Sequence, residues 1–166
     1  MSTWRHKVKQ GYNRSFASQN RFINSCLALG FETLPASIQD DVNRHVDVWI
    51  TYQGRGPWGV DVKENMNVNF IWIEFTNVIG NKGWIYGDAE IIAIDIPELC
   101  GFAIVDRLDL LDYGLNNVQD VFVHKRDDAY KKKYTRSGRK DVISYINLHD
   151  LRGLETFRVW GYSVDF

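Results

Sequence analysis

Between residues 45 and 63 the chain reads HVDVWITYQGRGPWGVDVK, and this stretch restricts the fold more than any other. Val46, Val48, Ile50 and Tyr52 alternate with Asp47, Trp49 and Thr51. A side-chain period of two belongs to a β-strand with one apolar face. GRGP at 54–57 is a turn signal, after which Val60 and Val62 alternate with Asp61 and Lys63. The turn folds the second strand back along the first. Asp47 then comes opposite a residue in 61–64, so two carboxylates and an ammonium leave one side of a single hairpin.

Around this hairpin the remaining pattern predicts a mixed α/β (α+β) domain. Residues 13–29 have helical spacing, with Phe16, Ile23 and Leu27 on a stripe flanked by Phe22, Cys26 and Leu29, and Gly30 as the stop. The segment 33–45 reads as a polar connection, with Asp40 and Asp41 as loop or capping carboxylates. NFIWIEFT at 69–76 reads as a buried third strand, making a three-strand meander. Strands are expected at 90–96, 102–106, 118–124, 141–148 and 156–162. A short helix at 108–114 stops at Gly114, and one helical turn falls at 149–153. The expectation is one mixed central sheet flanked by helices. At 166 residues this is one domain, 1–166, with residues 1–10 as a loose basic arm.

Composition narrows the class. Hydrophobic residues are 45%, charged 25% and aromatic 14%, so a core is available and disorder is not expected. The longest uncharged apolar stretch, about 68–73, is far short of the roughly 20 residues a membrane span needs. The opening MSTWRHKVKQGYNRS has no apolar segment of the secretory kind. Two cysteines, Cys26 and Cys100, make no disulfide framework and read as small buried residues in a reducing compartment. No HExxH, CxxC, GxSxG or phosphate-loop signature occurs, and the four histidines have no metal spacing. His45 is the one nearest the hairpin aspartates. The expected location is cytoplasmic.

The grouping of Asp47, Asp61 and Lys63 suits phosphodiester hydrolysis. Mg²⁺ typically takes one or two carboxylates together with phosphate oxygens, and a nearby ammonium positions water and neutralises phosphate charge. The competing reading is an ordinary solvent-facing salt bridge.

DVNRHVDVWI, GRGPWGVDVK and WIEFTNVIGNKGWIYGDAEIIAI together resemble the core of the PD-(D/E)XK nuclease superfamily, particularly its small phage-encoded members. The resemblance covers about a third of the chain. It implies a restriction-endonuclease-like core, with Asp47 at the first acidic position, Asp61 at the second and Lys63 at the lysine. The Val62 carbonyl would complete the metal shell, and Glu74 resembles an extra polar residue that some members carry. The proline before the first aspartate is replaced by Val46. The first helix has no acid over 13–29, so Gln19 or Asn20 stands where many members have Glu.

Charge is unevenly spread: +5 over 1–31, −10 over 32–124, +6 over 125–140 and −2 over 141–166. In HKRDDAYKKKYTRSGRK at 124–140, Arg126, Lys131, Lys132, Lys133, Arg136, Arg139 and Lys140 are interleaved with Tyr130 and Tyr134. This is a candidate nucleic-acid contact, expected to be mobile without its ligand. Arg5, Lys7, Lys9 and Arg14 form a weaker one. Taken with the resemblance, the expected activity is a Mg²⁺-dependent DNA endonuclease, restriction-like or homing-type, with Mn²⁺ able to substitute. It would be a homodimer encoded by a phage and acting in the bacterial host cytoplasm. The alternatives are a junction or structure-specific resolvase, and a catalytically inactive nuclease-fold binding or inhibitor protein.

Overall fold

The computed structural model describes residues 3–64 and 66–162, and of residues 3–15 the backbone alone. Helix α1 runs over Thr3–Ala28. It is followed by strand β1 (Glu32–Pro35), helix α2 (Ile38–Arg44), β2 (Val48–Tyr52), β3 (Arg55–Lys63) and β4 (Ile71–Thr76). Then come β5 (Ile91–Ile96), β6 (Gly101–Asp106), α3 (Arg107–Asn117), β7 (Gln119–Val123) and β8 (Lys132–Tyr134). The last elements are β9 (Val142–Ile146), α4 (Leu148–Arg152) and β10 (Arg158–Gly161). No described helix is long and apolar enough to cross a membrane.

The hairpin forms as the alternation requires. Val48 pairs with Val60 and Trp49 with Gly59, and the Asp47 N–H extends the ladder to the Val60 carbonyl at 2.8 Å. Gln53 and Gly54 close it with positive φ of 50° and 75°, so the turn takes only the first residue of the GRGP stretch, and the other three begin β3.

The expected meander and single central sheet do not form. The strands divide into a six-stranded sheet, ordered β1-β2-β3-β5-β6-β10, and a four-stranded sheet, ordered β4-β9-β8-β7. Both are mixed: β3 runs parallel to β5 and β7 parallel to β8, with the other pairs antiparallel. β4 leaves the hairpin and pairs with β9, Ile71 opposite Ile146. Its place beside β3 is taken by β5, whose residues Ile92 to Ile96 are all buried, the pattern of a central parallel strand. The two sheets share one core. Ile71 and Ile73 of β4 pack with Ile92, Ile94 and Ile96 of β5, Leu110 of α3 and Ile146 of β9.

Several boundaries differ from the periodicity reading. The 33–45 connection contains β1 and α2. Ser37 caps α2, accepting from the Asp40 N–H and donating its hydroxyl to the Asp40 carboxylate, so Asp40 is indeed a capping carboxylate. α1 buries Phe22 and Cys26 against the six-stranded sheet, while Phe16, Leu27 and Leu29 stay exposed. The buried face carries Ser18 and Ser25, which apolar spacing alone does not register. Gly114 does not stop its helix. It lies within α3, where a Cβ would come 3.1 Å from the Phe75 ring, so close packing explains the glycine. Cys26 is buried as expected, but Cys100 is exposed, at a left-handed position with φ 46°.

Candidate functional site

The hairpin places Asp47 at the entry of β2 and Asp61 and Lys63 at the end of β3. They meet as the alternation implies, but in a more enclosed setting than a surface salt bridge. Asp61 is 3% exposed and accepts from the Lys63 ammonium at 2.7 Å. The ammonium also stands 4.8 Å from the centre of the Trp84 ring. A buried ion pair costs desolvation that only well-placed partners repay, and here one partner is missing. Asp61 Oδ2 is buried with no hydrogen-bond donor among the described residues.

Asp47 is held from two sides. Gln19 of α1 donates Nε2–H to Oδ1 at 2.8 Å, and the Val62 N–H donates to Oδ2 at 2.7 Å. Gln19 is the described α1 residue whose side chain hydrogen-bonds Asp47. Each Asp47 oxygen keeps a lone pair beyond these bonds. Asp47 lies within hydrogen-bonding reach of Asp61 when one of the two is protonated.

The electrostatics are those of a negative site short of positive charge. Burial, then the neighbouring Asp61 charge, pushes the Asp47 carboxyl up to about 7, against the opposing pull of the Val62 N–H and Lys63. Burial raises Asp61 as well, with Lys63 opposing. Asp41 on α2 adds a third negative charge that raises both. Asp41 is therefore more than the loop or capping carboxylate that its surroundings in the chain suggest, and the folding of α2 against the hairpin has no local signature. His45 ends α2 in the left-handed conformation, with φ 53°. Burial and then the Lys63 charge depress its imidazole, while Glu74, Asp41 and Asp47 act the other way.

The set fits a hard divalent cation. Its donors are all oxygen, two carboxylates converge, one oxygen is orphaned, and the fold holds excess negative charge in a buried place. Among the described residues no group of three or more His, Cys, Asp and Glu is disposed around a metal. The remaining donors would be the Val62 carbonyl, water or substrate oxygens, which is the usual condition for Mg²⁺.

Glu74 lies on β4, in the other sheet; its side chain makes no hydrogen bond or ion pair among the described residues, and its charge reaches the aspartate group through His45. It lines a cavity of about 500 Å³ with Trp72, Trp84, Arg126, Tyr134, Arg136 and Ile143. Trp84 is shared between this cavity and the Lys63 ammonium.

The basic segment contains strand β8 and is partly spent on internal pairing. Lys131 pairs with the buried Asp150 at 2.7 Å, beside the Tyr113 and Tyr130 hydroxyls that donate to the same carboxylate. Arg136 pairs with the fully buried Asp141. Lys133 reaches the exposed Asp120 at 2.7 Å. Arg126 lies over the Phe70 and Trp72 rings at 5.5 and 5.4 Å. Lys132, Arg139 and Lys140 have no ion pair among the described residues, and Arg139 and Lys140 are exposed. The side chains of Arg5, Lys7, Lys9 and Arg14 lie outside the described residues.

Comparisons with known protein families, with curated proteins and with solved structures find no match.

Proposed function

We propose that this chain is a metal-dependent nuclease that hydrolyses phosphodiester bonds in DNA. The observation that carries the reading is the half-buried Asp47 beside the buried Asp61, whose Oδ2 is orphaned, with Lys63 closing one side. A structural salt bridge has no use for a second carboxylate whose charge destabilises the first. The resemblance of the hairpin to the PD-(D/E)XK pattern supports the same conclusion.

Asp47, Asp61 and the Val62 carbonyl would hold the cation. A bound Mg²⁺ or Mn²⁺ supplies acidification of a water and neutralisation of phosphate charge. The chain's own groups do the rest. Gln19 and the Val62 N–H fix the orientation of the Asp47 carboxylate. Lys63, anchored on Asp61 and against Trp84, presents an ammonium to a phosphate oxygen or to the attacking water. Water adds to phosphorus and gives up a proton to solvent, one P–O bond breaks, and the leaving oxygen takes a proton from solvent. The unpaired Lys132, Arg139 and Lys140 supply phosphate contacts away from the reaction centre.

Incubation with plasmid, linear and branched DNA tests this reading. Cutting is expected with Mg²⁺ or Mn²⁺ and is lost in EDTA. The plasmid and branched products separate a general endonuclease from a junction-directed one. Undiminished cutting in EDTA overturns the proposal.

A further inference from the structure

The cavity beside Trp84 contains two opposite charges left unpaired. Glu74 and Arg126 both line it. Among the described residues neither makes an ion pair, and they do not pair with one another. Arg126 is exposed and stands over Trp72, 5.4 Å from the ring centre, while its N–H donors stay unspent. Arg136 also lines the cavity, and its Nε is committed to Asp141. Trp72, Trp84 and Tyr134 supply aromatic walls. The volume, about 500 Å³, lies in the range of small-molecule sites. Two separated charges of opposite sign between aromatic rings need a ligand that is flat and offers donors and acceptors on adjoining edges.

We propose that this cavity receives a guanine base unstacked from the bound strand, with Glu74 accepting from guanine N1–H and N2–H and Arg126 donating to O6 and N7. Guanine is the base that matches both charges. Its Watson–Crick edge places two donors side by side for one carboxylate, and its O6/N7 edge is the usual acceptor pair for arginine. Adenine offers no donor pair to a carboxylate, and cytosine lacks the N7 acceptor. Stacking on the aromatic walls offsets the cost of taking the base out of its stack. Through Trp84 the cavity adjoins Lys63, so the captured base would select which phosphate meets the aspartates. The inference rests on the nuclease reading and deepens it to a base preference.

The test uses single-stranded oligothymidylate carrying one central guanine, hypoxanthine, 7-deazaguanine or adenine. Binding is followed by anisotropy in Ca²⁺, and cleavage by mapping products in Mg²⁺. Wild-type protein is expected to bind the guanine oligomer about tenfold or more tighter than the hypoxanthine one, which lacks the N2 amino group. Cuts should cluster at a fixed distance from the guanine. Glu74→Gln should erase the discrimination between guanine and hypoxanthine. Arg126→Ala should erase that between guanine and 7-deazaguanine, giving a second readout if the first variant folds poorly. Asp61→Asn should abolish cutting and keep the guanine preference. Equal affinity for all four oligomers with Mg²⁺-dependent cutting intact overturns the base pocket alone. A guanine preference with no cutting under any metal overturns the nuclease reading and leaves the pocket standing.

Discussion

If the Asp47–Asp61 pair is a metal site, proton and cation compete for it, and the competition has a calculable size. A carboxyl that ionises near 3.8 when unfolded and near 7 in the fold binds its proton more tightly in the native state. Stability therefore falls as pH rises between those two values. At about 1.4 kcal/mol per tenfold change in the ionisation constant, Asp47 alone removes on the order of 2.5 kcal/mol from the metal-free protein between pH 5 and 8. For a chain of this length that is roughly 5–10 °C in Tm. Asp61, raised in the same direction, adds to it. A divalent cation reverses the loss, because it binds the ionised native site and not the unfolded chain. With Asp47 about 1% ionised at pH 5 and mostly ionised at pH 8, metal affinity should be about a hundredfold weaker at the lower pH. Calorimetric titration with Ca²⁺ or Mg²⁺ across this range, paired with melting curves, measures both effects. Asp47→Asn should flatten the pH dependence of Tm, melt above the wild type at pH 8 without metal, and bind the cation poorly. Equal metal affinity at pH 5 and 8, or unimpaired binding by Asp47→Asn, would refute the reasoning.

Other outcomes follow from the same geometry. Asp61→Asn and Lys63→Ala should each lower cleavage by on the order of 10²-fold or more in a nicking assay; only Asp61→Asn should also weaken metal binding in a calorimetric titration, and full activity in either variant removes that residue from the mechanism. Lys131→Ala leaves the buried Asp150 without its ammonium and should cost about 2–4 kcal/mol in denaturant unfolding. The double change Lys132→Ala and Arg139→Ala should spare stability and lower the salt dependence of DNA binding by roughly 0.9 for each phosphate no longer neutralised. Gly83→Ala would bring a Cβ to 2.1 Å from the Glu74 carbonyl oxygen and should cost about 2–3 kcal/mol or more in chemical denaturation, since backbone must move.

What could be read without the structure was local. The period-two alternation around Asp47 and Asp61–Lys63 determined the hairpin, its buried face and the meeting of its charges, because all three depend on residues within one turn of chain. Strand periodicity likewise marked most of the later strands. It could not say which strand lies beside which. β4 and β5 are both isoleucine-rich, and only competition for the edge of β3 decided that β5 pairs there while β4 joins β9. The same limit applies to charge. Lys131, Lys133 and Arg136 look like free cations in a basic run, yet Lys131 is matched to Asp150 and Arg136 to Asp141, which folding buries; Lys133 instead pairs with the exposed Asp120. Asp41 joins the site only because α2 docks on the hairpin, and Glu74 shares a cavity with Arg126 only because the second sheet closes over Trp84. Local alternation is a property of neighbouring residues; burial and long-range pairing are properties of the whole packed chain, and they decided which of its charges remain free to act.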